Sequence, residues 1–314
     1  MNKINVNYKN EILTKESLSR NKFLAKFLVV YFFKSKLSPI ISFLLPLLFM
    51  MVFYVAASGS DDPDAGLQLF LGSLATYISL SILPLALISM PQIIVELKNS
   101  IILRRIKNSG FTKNNFLALT FILYFLLSIA FVLIVFGLFF VFFFTMKDPN
   151  GVREEELSNI NIGGLIYSIL LLIVSSLSVG IFLSSVIKNV SYALISGIIV
   201  ILVTITFAGQ FIPIQVIGGT EAFRYISLFS PLTYAAGLLN TVLIEPAPVA
   251  GVTPDEIQNI FNFSHDFVIG GFGSGGESTI VYKTWQKALN VFMPIIVSIG
   301  FGVFSVRYFK WFGR

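Results

Sequence analysis

Polar and apolar positions fall into long blocks along this chain of 314 residues. Six apolar blocks, residues 39–57, 67–95, 116–145, 162–187, 191–213 and 288–306, contain no Asp, Glu, Lys, Arg or His. A helix rises about 1.5 Å per residue and needs roughly 20 apolar residues to cross the hydrocarbon core of a bilayer. Each block has that length or nearly so. Lipid offers the backbone no hydrogen bonds, so a spanning segment must satisfy its own, as a helix does. The pattern predicts an all-α polytopic membrane protein with six transmembrane helices.

Shorter patterns fill the gaps. Residues 20–36, RNKFLAKFLVVYFFKSK, place Phe23, Phe27, Val30 and Tyr31 on one helical face, with Leu24 and Leu28 beside them and Lys22 and Lys26 opposite. Val29 and Phe33 interrupt the lysine side. Such a segment is expected to lie in the membrane interface, apolar face down and lysines at the headgroups. Residues 58–66, SGSDDPDAG, read as a short turn. Pro84 and Pro91 predict that the second span is kinked or broken near its end. Residues 96–115 form a basic loop with a short helix whose apolar face is Ile101, Ile102 and Ile106, with Leu103; Arg104, Arg105 and Lys107 stay wet. Gly110 is its natural stop and Thr112 can cap the next helix.

The fourth span gathers Ser175, Ser176, Ser178, Gly180, Ser184 and Ser185, a composition that suits close helix contact. The tight turn 188–190 predicts that the fourth and fifth spans are antiparallel neighbours. Residues 221–245 hold two apolar pieces of about ten residues parted at Ser230–Pro231, too short to span and suited to re-entrant helices. Residues 246–281 are rich in Pro and Gly and read as an outer loop.

Charge gives these blocks a direction. Segments 1–38, 96–115, 188–190 and 307–314 hold 17 Lys/Arg against three acids, whereas 58–66, 146–161 and 214–287 hold five against 13. The two kinds alternate strictly. By the positive-inside rule both termini are expected in the cytoplasm, with the chain in the cell membrane. Orientation and anionic lipid then account for the net charge of +6, and no nucleic-acid partner is expected. With 55 % hydrophobic and 12 % charged residues, no independent water-soluble core remains, and the lack of cysteine excludes disulfides and thiolate metal sites.

Chemistry is sparse. Gly271, Gly276 and Ser278 approach a phosphate-binding loop, but Glu277 occupies the position where that loop needs Lys, so no ATP site is expected there. His265 is the sole histidine, without a second ligand at metal spacing. No ionisable group lies at membrane depth, which weighs against an ion-driven transporter or an intramembrane enzyme. Whatever drives this protein is expected to enter from outside the bilayer.

The set of features resembles the membrane subunit of ATP-binding-cassette exporters of the type-2 permease family, over nearly the whole chain. The amphipathic segment before the first span, the basic loop after the second and the re-entrant pieces before the last carry the likeness. Residues 229–240, FSPLTYAAGLLN, look like that family's Pro-x-x-Tyr stretch. Glu96 and the run Leu103–Arg105 leading to Gly110 are similar to its coupling loop, although the usual Glu-Arg-Glu-x-Gly-Thr form is absent.

The resemblance implies a division into a cytoplasmic N-terminal segment with connecting helix, 1–38, and a six-span domain, 39–314. That domain would carry the coupling loop 96–115, a re-entrant region 220–245 and an extracellular insertion 246–281. It also implies a permease that performs no chemistry and has no cofactor or metal of its own. A second permease subunit, identical or related, would pair with it, and two cytoplasmic ATP-binding subunits would bind ATP and Mg. Coupling is expected from Glu96, Lys98, Arg104, Arg105 and Lys107, with Phe23, Lys26 and Phe27 in the connecting helix. Pro231, Tyr234 and Asn240 would form an outer gate, and Thr76, Ser79, Phe207 and Gln210 would line the path. The cargo expected is amphipathic: a peptide, drug or lipid-linked molecule. The alternative is a non-translocating immunity or sensor component.

Overall fold

Helix ends in this chain are set by caps and backbone geometry as much as by charge. The computed structural model describes residues 21–35, 37–151, 153–154, 157, 160, 162–211, 230–244 and 284–311. Helix α1 covers residues 21–34. It is followed by α2 (Leu37–Ser58), α3 (Pro63–Gly72), α4 (Leu74–Pro84), a π-helical segment (Leu85–Ser89), α5 (Met90–Asn99) and α6 (Ile101–Asn108). Then come α7 (Lys113–Thr145), α8 (Ile162–Val186), α9 (Val190–Phe207), α10 (Thr233–Ile244) and α11 (Thr284–Tyr308). Among the described residues there is no strand. His265, the glycine-rich run at 271–278 and the insertion 246–281 lie outside them.

Five stretches are long and apolar enough to cross a membrane: Pro39–Ser58, Pro63–Asn99, Lys113–Thr145, Ile162–Val186 and Val190–Phe207. The sixth expected span is α11, 25 residues long, with an apolar stretch at Phe292–Tyr308. The protein is thus an all-α, polytopic membrane protein. The turn before α3 closes as the sequence suggests: the Asp62 carboxylate accepts from Asp64 N–H at 3.0 Å and Ala65 N–H at 3.4 Å, and Pro63 opens the helix.

Two expected boundaries change. The fifth apolar block runs to Pro213, yet α9 ends at Phe207. Gly209 takes φ +77°, and the Gln210 N–H reaches back to Ile205 C=O at 3.2 Å, closing a Schellman turn that apolarity alone does not reveal. The second span is interrupted where no proline stands. Its break falls at Ser73, between α3 and α4, with the Ser73 hydroxyl donating to Leu69 C=O at 2.8 Å. From Leu74 to Asn99 the helix runs on through both prolines, because the π segment absorbs them. Met90 N–H bonds Leu85 C=O five residues back.

The second span occupies the centre. Its apolar window is buried along its whole length, whereas those of α2, α7 and α9 are mostly open. Helices α2, α7, α8, α9 and α10 all pack on α4. Two glycines permit the closest approaches. A β-carbon on Gly180 would lie 2.0 Å from Ala86 C=O, and one on Gly197 2.1 Å from Leu87 C=O. Pro91 has no N–H to give either carbonyl, in the π or the α register, so the bare glycine backbones pack where the helix is least regular.

Helix α8 packs mainly on α11, and α9 mainly on the second span. The two helices do touch, but the 188–190 turn does not make them chief partners. The serines of α8 are buried and bond to their own helix, for example Ser175 to Leu171 C=O at 2.7 Å and Ser185 to Ile181 C=O at 2.8 Å. Their hydroxyls therefore need no partner from a neighbouring helix, and the face stays small.

Candidate functional site

The last turn of α5 reaches three other elements within four residues. Glu96 accepts from Gln92 Nε2 at 2.8 Å and from the Tyr31 hydroxyl of α1 at 3.1 Å. Burial, and then the neighbouring carboxylate, push the Tyr31 phenol above its ordinary pKa, so it remains a donor. Lys98 donates to Ser184 C=O and, at 3.3 Å, to Ser185 C=O. These are last-turn carbonyls of α8, the negative end of its dipole. The Lys98 ammonium also lies 4.7 Å from the centre of the Phe309 ring. Asn99 Nδ2 donates to Lys188 C=O in the α8–α9 turn at 3.0 Å.

Ser100 then interrupts the helix and caps α6, accepting from Ile102 N–H at 3.2 Å. Leu103 alone of the α6 apolar residues is fully buried. Ile102 and Ile106 are half-buried and Ile101 is 69 % exposed, so the apolar face is narrower than the sequence suggests. Arg104, Arg105 and Lys107 project outward. Gly110 takes φ +85°, and Thr112 caps α7 through Asn115 N–H at 3.3 Å. Lys113 donates to Val306 C=O at 2.9 Å, doing for the end of α11 what Lys98 does for α8.

Helix α1 lies against this structure. Leu24, Leu28 and Phe32 form its buried stripe, with Phe32 edge-on to Tyr124 at 6.0 Å and to Phe131 at 6.3 Å. The face grouped from sequence around Phe23, Phe27, Val30 and Tyr31 is not the one packed. Phe23 is 73 % exposed, Val30 is exposed, and Phe27 and Tyr31 are half-buried against each other. Lys26 is exposed. Of the expected coupling residues, Glu96 and Lys98 thus face inward, to α1 and α8. Arg104, Arg105, Lys107, Phe23 and Lys26 face outward at the same basic end. Tyr31, Asn99 and Lys113 join them unanticipated; for Tyr31 the only signal was its polar hydroxyl on an otherwise apolar stripe.

At the opposite, acidic end, Thr76, Ser79 and Gln210 come together. Gln210 Nε2 donates to Ser79 Oγ at 2.7 Å and to Ala236 C=O of α10 at 3.3 Å, and Thr76 donates to Gln210 C=O at 3.5 Å. The Schellman turn at Gly209 aims Gln210 into this gap. Phe207 is half-buried at the end of α9. Tyr234 is buried on α10 and Pro231 half-buried just before it; Asn240 belongs to the same helix. The cluster joins the second span, the α9 end and α10 through one amide.

A family model described as "ABC-2 family transporter protein" matches residues 62–307. No curated protein matches the chain.

Proposed function

This chain belongs to the ABC-2 family of transporters and is a membrane permease component, and from that premise we propose that it exports an amphipathic peptide, drug or lipid-linked cargo using work done by partner subunits. Two ATP-binding subunits, holding ATP and Mg, dock at the basic end on the cytoplasmic side. A second permease subunit completes the path. The permease itself performs no chemistry.

The observation that carries this reading is the construction of α6. Its Leu103 is seated in the bundle, its Arg104, Arg105 and Lys107 point outward, and it is continuous in chain with the central span. A push on α6 is passed to the second span through Ser100, and to α1 and α8 through Glu96 and Lys98. The cluster of Thr76, Ser79 and Gln210 at the far end of that span, with Tyr234 and Asn240 on α10 and Pro231 just before it, is the outer closure that such a movement would open. Reversing two charges tests the coupling. Arg104→Glu with Arg105→Glu is expected to leave the permease inserted but to abolish cargo-stimulated ATP hydrolysis in the reconstituted complex. Hydrolysis at the native rate would overturn the coupling role.

A further inference from the structure

A pocket at the basic end opens between the last turns of α8 and α11. Lys98, Lys188 and Lys310 line it, together with Ser185, Val186 and Tyr308. No acid lines it. Glu96 is the only acid described at this end, and it is already held by Gln92 and Tyr31. Lys98 is 6 % exposed and fixed by α8; Lys188 and Lys310 are exposed at the rim.

One side of the pocket is greasy. Ile296, Ile299, Val303 and Phe304 form an exposed stripe down α11 that ends at Tyr308, whose ring stacks on Phe304 at 6.2 Å and which is itself half open. An aromatic residue with a polar tip, at the end of an apolar stripe, marks the depth where acyl chains give way to headgroups. A soluble anion would use the lysines and ignore the stripe; an acidic protein surface would have no reason to follow it into the bilayer.

We infer that this pocket holds the phosphate headgroup of an anionic glycerophospholipid, whose acyl chain lies along the exposed stripe of α11. The phosphate pairs with Lys188 and Lys310, and Lys98 supplies a fixed positive floor that also neutralises the carbonyl end of α8. The inference needs only that the basic end meets a membrane surface. It does not need the coupling role of α6, so Arg104→Glu with Arg105→Glu should leave lipid retention unchanged.

The test uses the full-length chain reconstituted in mixed phosphatidylglycerol and phosphatidylcholine, stripped stepwise with detergent and read by native mass spectrometry. The wild type should keep phosphatidylglycerol after phosphatidylcholine has gone. Lys188→Gln with Lys310→Gln should weaken retention by about 30-fold, since a surface lysine near anionic lipid contributes about a factor of five. Lys147→Gln, at an exposed position of the acidic end, should match wild type. Equal retention of the two lipids, or an unaltered Lys188/Lys310 double variant, overturns the inference. Displacement by soluble glycerophosphate as readily as by lipid assigns the pocket to free phosphate instead. A double variant that keeps its lipid but sheds a co-purifying ATP-binding subunit makes the pocket a protein contact.

Discussion

Lys98 shows how differently one residue type can be used at the same end of the bundle. Its ammonium is buried against Ser184 and Ser185 carbonyls and the Phe309 ring, while Lys107, nine residues further along the basic segment, faces outward. Nothing in the local pattern separates them, because the carbonyls that Lys98 satisfies lie more than 80 residues away in the chain. Lys98→Met keeps the length of the side chain but removes the charge-assisted hydrogen bonds, each worth about 1.5–3 kcal/mol. The expected outcome is a melting temperature lowered by several degrees in detergent, with a smaller change for the exposed Lys107→Met. Glu96 belongs to the same scale: its place at the start of a basic loop was readable, but its tie to Tyr31 was not, for want of any pairing signal across 65 positions.

At the scale of elements, apolar block length located the five stretches long enough to cross a membrane, since charged side chains are excluded from lipid. Interruptions within the blocks stayed hidden. Ser73 and Gly209 sit among apolar neighbours and act through backbone geometry, while Pro84 and Pro91, the obvious breakers, are absorbed by Leu85–Ser89. The small-residue stripe of α8 was legible as a contact face, but its target, the π segment, was not. That contact is testable by adding a single methyl group. Gly180→Ala and Gly197→Ala should each destabilise by about 1–3 kcal/mol, as overpacking does, because a β-carbon would strike Ala86 or Leu87. Gly300→Ala and Gly302→Ala, where a β-carbon meets nothing within 4 Å, serve as controls and should melt at or above the wild-type temperature in the same scan.

For the whole molecule, alternating charge predicts a direction, and the fold separates the two kinds of loop to opposite ends. The native chain has no cysteine, so single substitutions report sidedness without background. Asp61→Cys and Asn108→Cys place a thiol at exposed positions of the acidic and basic ends. On intact cells an impermeant maleimide should label the first and not the second. The reverse result would put α6 outside, beyond reach of any cytoplasmic ATPase, and the export mechanism would fall with it.

The enclosure of the second span has a bearing on the bilayer itself. Helix α7 is 33 residues, about 50 Å at the helical rise, and with α2 and α9 it forms most of the lipid-facing wall. When membrane thickness changes, hydrophobic mismatch acts first on these outer helices, which tilt or thin the surrounding lipid. The buried window of the column they surround feels that strain second-hand, through the helices packed on it, so its register is insulated from the composition of the membrane in which it works.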